Sequence, residues 1–159
     1  MDMKQHLLDL FAFNDQTNRK LLGKIAQLQD QAESIRLFSH LINCQYKWLA
    51  RIQQDPRVPE MSWWEPLYPF GQLEPEWEKS LTPWLDYLRS KSETELAAEV
   101  IFTGSDGSRW ASTPQDIALQ LNFHSVHHRA QIQMLIRAEG LKPGFVDYIG
   151  TKYHRLEEN

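Results

Sequence analysis

Residues 113–140 read TPQDIALQLNFHSVHHRAQIQMLIRAEG and predict one amphipathic helix. Thr113 can cap its start, Pro114 suits its first turn, and Gly140 ends it. Its inward face is expected to carry residues spaced by three or four positions, namely Ile117, Leu121, His124, His128, Gln131 and Leu135. The middle of this inward face is polar, and a buried polar group costs about 1–3 kcal/mol unless it is paired. The helix is therefore expected to carry a site.

Three further helices are predicted upstream of this one. Residues 3–29 contain no proline and place apolar residues at helical spacing, and residues 33–53 repeat that pattern. A third helix is expected to begin near Pro75 and to be kinked, or to start late, at Pro83. These patterns predict four helices around one core.

A short hairpin is expected before the last long helix. Apolar and β-branched residues at 99–103 and the segment 108–110 flank the turn dipeptide Asp106-Gly107. The predicted fold is all-α, a four-helix bundle with this hairpin, and residues 1–159 are expected to form a single domain.

Composition excludes several classes of function. The chain has 159 residues and a net charge of −4, and no dense basic run marks a nucleic-acid partner. No apolar stretch approaches the roughly 18 residues of a membrane span, and no signal peptide is visible at the start. A single cysteine allows neither an internal disulfide nor a tetrathiolate zinc site. We therefore expect a cytoplasmic protein without a membrane or nucleic-acid partner.

Three of the six histidines are expected to converge. His124 and His128 are four residues apart, so both rings project from one helix face and can bind one divalent metal. Taken alone, the pair is equally compatible with two structural histidines that are hydrogen-bonded inside the bundle. His40 lies in the second helix beside Leu41 and Cys44, and it also faces the core. Three such imidazoles favour a metal site with an open position, of a kind that suits zinc, nickel, copper or iron.

Neighbouring polar residues have two interpretations each. Gln131 can orient a ring or a bound water, or it can join two helices by a hydrogen bond. Asn14 can position a ligand, although a buried bond between helices is favoured. His127 is either behind the ligands or on the surface, whereas Arg129 is expected to be a surface or interface charge. Cys44 can approach the site but is expected to be a small core residue.

Several segments together resemble a known family. Residues 11–22, FAFNDQTNRKLL, are similar to the opening helix of the DinB-like (damage-inducible, YfiT-like) metalloprotein superfamily. Residues 37–41, LFSHL, followed by KWL at 47–49, resemble the second helix of that superfamily. Residues 124–131, HSVHHRAQ, resemble its fourth-helix motif. The resemblance covers roughly residues 3–150.

The resemblance implies a divalent metal held by His40, His124 and His128, most often nickel or zinc, with iron, manganese or copper as further candidates. It also implies a homodimer and a small-molecule substrate. Characterised members include S-transferases that use a low-molecular-weight thiol as cosubstrate, and others are regarded as metal-dependent hydrolases. The chain is therefore expected to be such a transferase or hydrolase.

Two non-enzymatic hypotheses stay open. In the first, the protein is a binding module of the same fold, and its aromatic-rich residues 62–70 form the working surface. The favoured interpretation of that segment is a loop packed over the helices. In the second hypothesis, no metal is present and the three histidines pair with one another.

Overall fold

The computed structural model describes residues 2–156, which are mostly helical. In chain order the elements are helices α1 (Met3–Ile25), α2 (Ala32–Ile52), α3 (Phe70–Ser90) and α4 (Glu93–Ala97), strands β1 (Val100–Thr103) and β2 (Arg109–Ser112), and helix α5 (Pro114–Ala138). Two short 3₁₀ turns, Val58–Glu60 and Tyr148–Thr151, lie outside these elements. Among residues 2–156, none of the helices combines the length and the hydropathy of a membrane span. This content agrees with the predicted all-α class.

The four long helices pack against one another. Helices α1 and α2 each contact both α3 and α5, so the apolar faces of all four are turned towards a shared interior. The ends of α5 follow the expected chemistry. Thr113 Oγ1 accepts a hydrogen bond from the backbone N–H of Asp116 at 3.2 Å, and Gly140 ends the helix region with a left-handed φ of +77°.

The predicted hairpin is present immediately before α5. Strands β1 and β2 pair antiparallel, with Phe102 opposite Trp110. Gly107 has a φ of +82° in the connecting turn, a backbone conformation that glycine adopts without steric cost. Strand β1 also contacts α2, and the ring of Phe102 meets that of Trp48 edge-on at 5.3 Å, so the hairpin lies beside the carboxyl-terminal half of that helix.

Some predicted helix bounds were wrong. Helix α3 begins at Phe70 and continues through Pro75 and Pro83, so neither late start is correct. The reason is packing, because Leu73 is fully buried one turn before the buried Trp77 and extends the apolar face upstream. Helix α1 ends at Ile25 rather than near residue 29, and the short helix α4 was not predicted.

Polar residues separate two hydrophobic clusters in the interior. One cluster contains Phe11 of α1 and Leu121 of α5, and the other contains Leu21 and Ile132 of the same two helices. Between these positions the buried residues are mainly polar: Asn14, Thr17, Asn18, Ser125, His128 and Arg129. The candidate site lies at this polar layer.

Candidate metal centre

Helices α2 and α5 bring three histidines together. His40 is buried on α2 and His128 is buried on α5. His124 lies one turn before His128 and is half-buried. Because residues four apart share a helix face, α5 presents both of its rings towards α2, as the sequence predicts.

The distance between two of the rings matches a shared ligand. His40 Nε2 lies 3.0 Å from His124 Nε2. The three ring centroids are 4.5 to 4.9 Å apart in every pairing of His40, His124 and His128. A metal bound to imidazole at about 2.0–2.1 Å in tetrahedral geometry separates two nitrogens by about 3.3 Å. The His40–His124 separation is close to that value.

Hydrogen bonds to the outer ring nitrogens orient two of these rings. His40 Nδ1 lies 2.7 Å from the backbone carbonyl of Trp63, which can only accept, so Nδ1 carries the proton. In the neutral ring the lone pair is then on Nε2, which faces His124. His128 Nδ1 lies 2.6 Å from Gln131 Oε1, an arrangement that leaves Nε2 of His128 available in the same way.

Burial keeps the three imidazoles neutral. Loss of solvation lowers the pKa of His40, His124 and His128, and for His124 the lowered pKa is about 4. The neighbouring rings of His128 and His40 lower the pKa of His124 further. At neutral pH all three rings therefore have a lone pair, and imidazole binds metals in this neutral form.

Cys44 adds a sulfur to the group. It lies one turn after His40 on α2, and its Sγ is 3.6 Å from His40 Nε2. Ligand atoms of His40, Cys44 and His124 all lie within 4.8 Å of one another, so these three residues form a group that can hold a divalent metal. Burial raises the pKa of the free thiol to about 12.

The loop between α2 and α3 covers one side of the group. The Trp64 ring stacks on His40 with centroids 3.8 Å apart, and the Arg36 guanidinium lies over the same tryptophan. The backbone N–H of Tyr68 donates to Ser39 Oγ at 3.0 Å and fixes the loop to α2. Residues 62–70 therefore pack over the helices, which agrees with the favoured interpretation of this segment.

The group is also open to the surface. A pocket of about 440 Å³ reaches the histidines from the surface of α5. Its lining residues are His40, Gln120, Phe123, His124, His127 and His128. A small molecule can therefore approach the candidate ligands from this side.

The donor chemistry fits a transition metal. Neutral imidazole nitrogens and a thiol suit zinc, nickel, copper or iron, whereas magnesium and calcium prefer oxygen ligands. Among residues 2–156, one group of three histidine, cysteine or acidic residues could share an ion. It consists of His40, Cys44 and His124, contains no carboxylate, and does not include His128.

The other predicted site residues lie in different surroundings. Gln131 is exposed but reaches His128, as described above. His127 is also exposed, and its ring meets that of His128 edge-on at 4.9 Å. Asn14 is buried, and its Oδ1 accepts a hydrogen bond from Arg129 Nη1 at 2.6 Å. Asn14 therefore forms the favoured buried hydrogen bond between two helices, α1 and α5.

The surface position expected for Arg129 was wrong. This residue is 3% exposed, and its Nη1 donates to Asn14 Oδ1 and to Asn18 Oδ1 at 2.6 and 2.9 Å. Burial lowers its pKa to about 10, so the guanidinium stays protonated at neutral pH. The buried face of α5 is thus centred on Ser125, Arg129 and Ile132. The predicted inward face, which included Gln131 in place of Ile132, was wrong by one residue along the helix.

Sequence reasoning missed the partners of Arg129. Asn18 is fully buried, and its side-chain amide also donates to Ser125 Oγ at 3.0 Å. The available signal was the spacing of Asn14 and Asn18 by four residues, which repeats the histidine spacing of α5. This network joins α1 to α5 beside the histidine group.

Fold and donor atoms together define a class, namely mostly helical proteins with a histidine-rich group that can hold a divalent metal. The sequence model of the DinB family matches residues 3–159, essentially the whole chain, and the protein therefore belongs to the DinB family. The resemblance inferred from the sequence motifs is thereby confirmed. No curated protein matches the sequence.

Proposed function

We propose that this DinB family protein is a metal-dependent enzyme of the thiol S-transferase type. His40, His124 and His128 are the proposed ligands of a divalent transition metal, with nickel or zinc as the first candidates. The observation that carries the proposal is the meeting of three neutral imidazoles at the edge of an open pocket. The four long helices of the protein are proposed to form the four-helix bundle of the DinB family.

The three-histidine set is favoured over a set that includes Cys44. The Cys44 thiol must lose a proton before it binds a metal, and its buried position opposes ionisation. The three imidazoles need no such step. Three protein ligands also leave a coordination position for water or substrate, as in catalytic zinc sites.

When bound, the metal would act as a Lewis acid and lower the pKa of a coordinated thiol or water. The chain itself holds the rings in place. The carbonyl of Trp63 accepts a hydrogen bond from Nδ1–H of His40, and Gln131 Oε1 accepts one from Nδ1–H of His128. Trp64 excludes water from one face of His40. Because Cys44 is the single cysteine and burial raises the pKa of its thiol, the nucleophilic sulfur is proposed to come from a small thiol cosubstrate.

Metal content tests the ligand assignment. Protein purified without a histidine tag and loaded with zinc or nickel is expected to keep about one equivalent after desalting. His124→Ala should lower this content to less than about a tenth of an equivalent. His154→Ala is the control, because it removes an exposed histidine that does not line this pocket and should leave the content unchanged. Equal loss in both variants, or unchanged content in His124→Ala, would contradict the assignment.

A third variant separates the two donor sets. Cys44→Ser removes the sulfur but keeps the three imidazoles, so the three-histidine assignment predicts unchanged stoichiometry. Loss of metal from Cys44→Ser with full retention in His128→Ala would establish the set His40, Cys44 and His124 instead.

Turnover tests the proposed chemistry. The metal-loaded protein is incubated with low-molecular-weight thiols and the electrophile monochlorobimane, and the rate of S-alkylation is compared with that of thiol alone. We expect a thiol-dependent acceleration that His124→Ala removes. Hydrolysis of an activated ester without thiol would favour the metal-dependent hydrolase, and metal binding without either activity would favour the binding module.

Quaternary structure and location also remain proposals. We propose a homodimer on the basis of the resemblance, and light scattering coupled to size-exclusion chromatography tests it through the mass in solution. A reducing, cytoplasmic environment is proposed because a single cysteine cannot form an internal disulfide.

A further inference from the structure

A second pocket lies beside the carboxyl-terminal half of α2. It has a volume of about 330 Å³ and is bordered by α2, by the residues that follow it, and by the hairpin. Lys47 and Arg51 contribute to its lining from α2, and Phe102, Thr103 and Ser105 contribute from the hairpin side. The size is within the range of about 300–1,000 Å³ typical of small-molecule sites.

Arg51 is a buried cation without a counter-charge. The residue is 8% exposed, and over residues 2–156 its guanidinium forms neither an ion pair nor a hydrogen bond. Its Nε is fully enclosed without a partner. The guanidinium carbon instead lies over the rings of Trp48, Trp63 and Phe102, at 4.8, 4.9 and 5.1 Å. These rings hold the planar group in place but leave its N–H donors free.

Lys47 places a second cation one turn earlier on the same helix. It is 7% exposed, its Nζ donates to the backbone carbonyl of Met61, and it lies 4.6 Å from the centroid of the Trp63 ring. Burial lowers the pKa of Lys47, and the positive charge of Arg51 lowers it further. Two like charges are thus enclosed together, which is unfavourable unless an anion accompanies them.

The acidic residue of the pocket does not neutralise the charges of Lys47 and Arg51. Asp55 borders the pocket, but its carboxylate is held by Arg57, with Nη2 2.6 Å from Oδ2. Hydrogen bonds from Arg57 lower the pKa of Asp55 to about 2. Among the described residues, the ion pairs of Asp55 are therefore made with Arg57 and not with Arg51.

We propose that this pocket binds the oxyanion group of a small molecule, with Arg51 as the principal anchor and Lys47 as a second donor. A guanidinium presents paired N–H donors that match the oxygens of a carboxylate or phosphate. The site is distinct from the histidine group, since Lys47 and Arg51 follow His40 by about 10 and 16 Å along α2. The rings around Arg51 also offer an apolar wall for the rest of the ligand.

Tryptophan fluorescence tests the proposal, because Trp48 and Trp63 contact Arg51. The full chain is treated with EDTA and titrated with inorganic phosphate, or with acetate, against sodium chloride at equal ionic strength. We expect a saturable change with a Kd on the order of 1 mM for at least one oxyanion. A response to phosphate alone indicates a phosphoryl ligand, and a response to acetate alone indicates a carboxylate.

Two variants and one direct measurement make the outcome decisive. Arg51→Gln should weaken binding at least about tenfold. Arg89→Gln makes the same change of charge at an exposed position outside the pocket and should not affect binding. If Arg51→Gln does not fold, the Nε–H resonance of Arg51 in the unmodified protein is followed instead, and it should shift with the oxyanion and not with chloride. Absence of a saturable oxyanion response, or equal binding by Arg51→Gln, would overturn the proposal.

Discussion

Replacement of Asn14 by alanine tests whether the polar layer stabilises the fold. Asn14 Oδ1 is one of two amide oxygens that accept hydrogen bonds from the buried guanidinium of Arg129. Alanine removes that acceptor, while Asn18 keeps the other. Because the lost bond involves a charged donor with no access to water, we expect a loss of about 1.5–3 kcal/mol in the free energy of unfolding.

The size of this loss makes it measurable. For a chain of this length, about 1.5–3 kcal/mol corresponds to a decrease of roughly 3–12 °C in Tm. Urea denaturation followed by circular dichroism gives the free energy directly. Gln16→Ala is the matched control, since Gln16 is exposed on the same helix and its replacement should change stability by less than about 0.5 kcal/mol.

A double variant tests the cause of the loss. When Arg129→Met is combined with Asn14→Ala, the charge that needs the acceptor is gone, so the combined loss should be smaller than the sum by about 1 kcal/mol or more. If Asn14→Ala is no more destabilising than Gln16→Ala, or if the two losses add, then Asn14 does not stabilise the buried charge.

Three further predictions concern stability and reactivity. Hydrogen bonds from the backbone N–H of Ser92 and from the side chains of Lys91 and Ser92 lower the pKa of Glu95 from 4.5 to about 2. The carboxylate should therefore stabilise the start of α4 above pH 4.5 and lose this effect as the pH falls through about 2, as followed by NMR titration. Leu96→Ala should cost about 2–5 kcal/mol in urea denaturation because Leu96 is fully buried, whereas the exposed Leu67→Ala should cost less than about 0.5 kcal/mol. Cys44, which is 2% exposed, should react with a thiol reagent such as DTNB only after unfolding.

Each of these expectations has an outcome that contradicts it. A Glu95 pKa near 4.5 would mean that its hydrogen bonds to Ser92 do not persist in solution. Equal stability of the Leu96 and Leu67 variants would show that α4 is not packed against the core. Immediate stoichiometric labelling of Cys44 in the native protein would show that the thiol is accessible.

The sequence predicted the meeting of the histidines for a simple geometric reason. His124 and His128 are one turn apart on one helix, and His40 is among apolar residues of another, so packing of the apolar faces also brings the three rings together. The ends of α5 could be predicted equally well from the sequence, because a threonine cap and a following glycine are local features.

The remaining features depend on contacts between distant residues. Arginine is usually exposed, and the amide oxygens contributed by α1 make the buried position of Arg129 tolerable. Trp63 and Trp64 lie in a loop without helical or strand periodicity. The hydrogen bond between the Trp63 carbonyl and His40 could therefore not be predicted from residue spacing. The beginning of α3 was misplaced because the burial of Leu73 outweighed the local preference of Pro75 for a first turn.

The stack of Trp64 on His40 has an optical consequence. The indole is 39% exposed and lies 3.8 Å from the centre of the imidazole ring. An ion bound to His40 would therefore be within a few ångströms of a natural chromophore. Ions with partly filled d shells, such as nickel or copper, quench indole emission at short range, whereas zinc does not. The protein thus carries a built-in reporter that distinguishes a quenching ion from a silent one at its histidine group, without an added label.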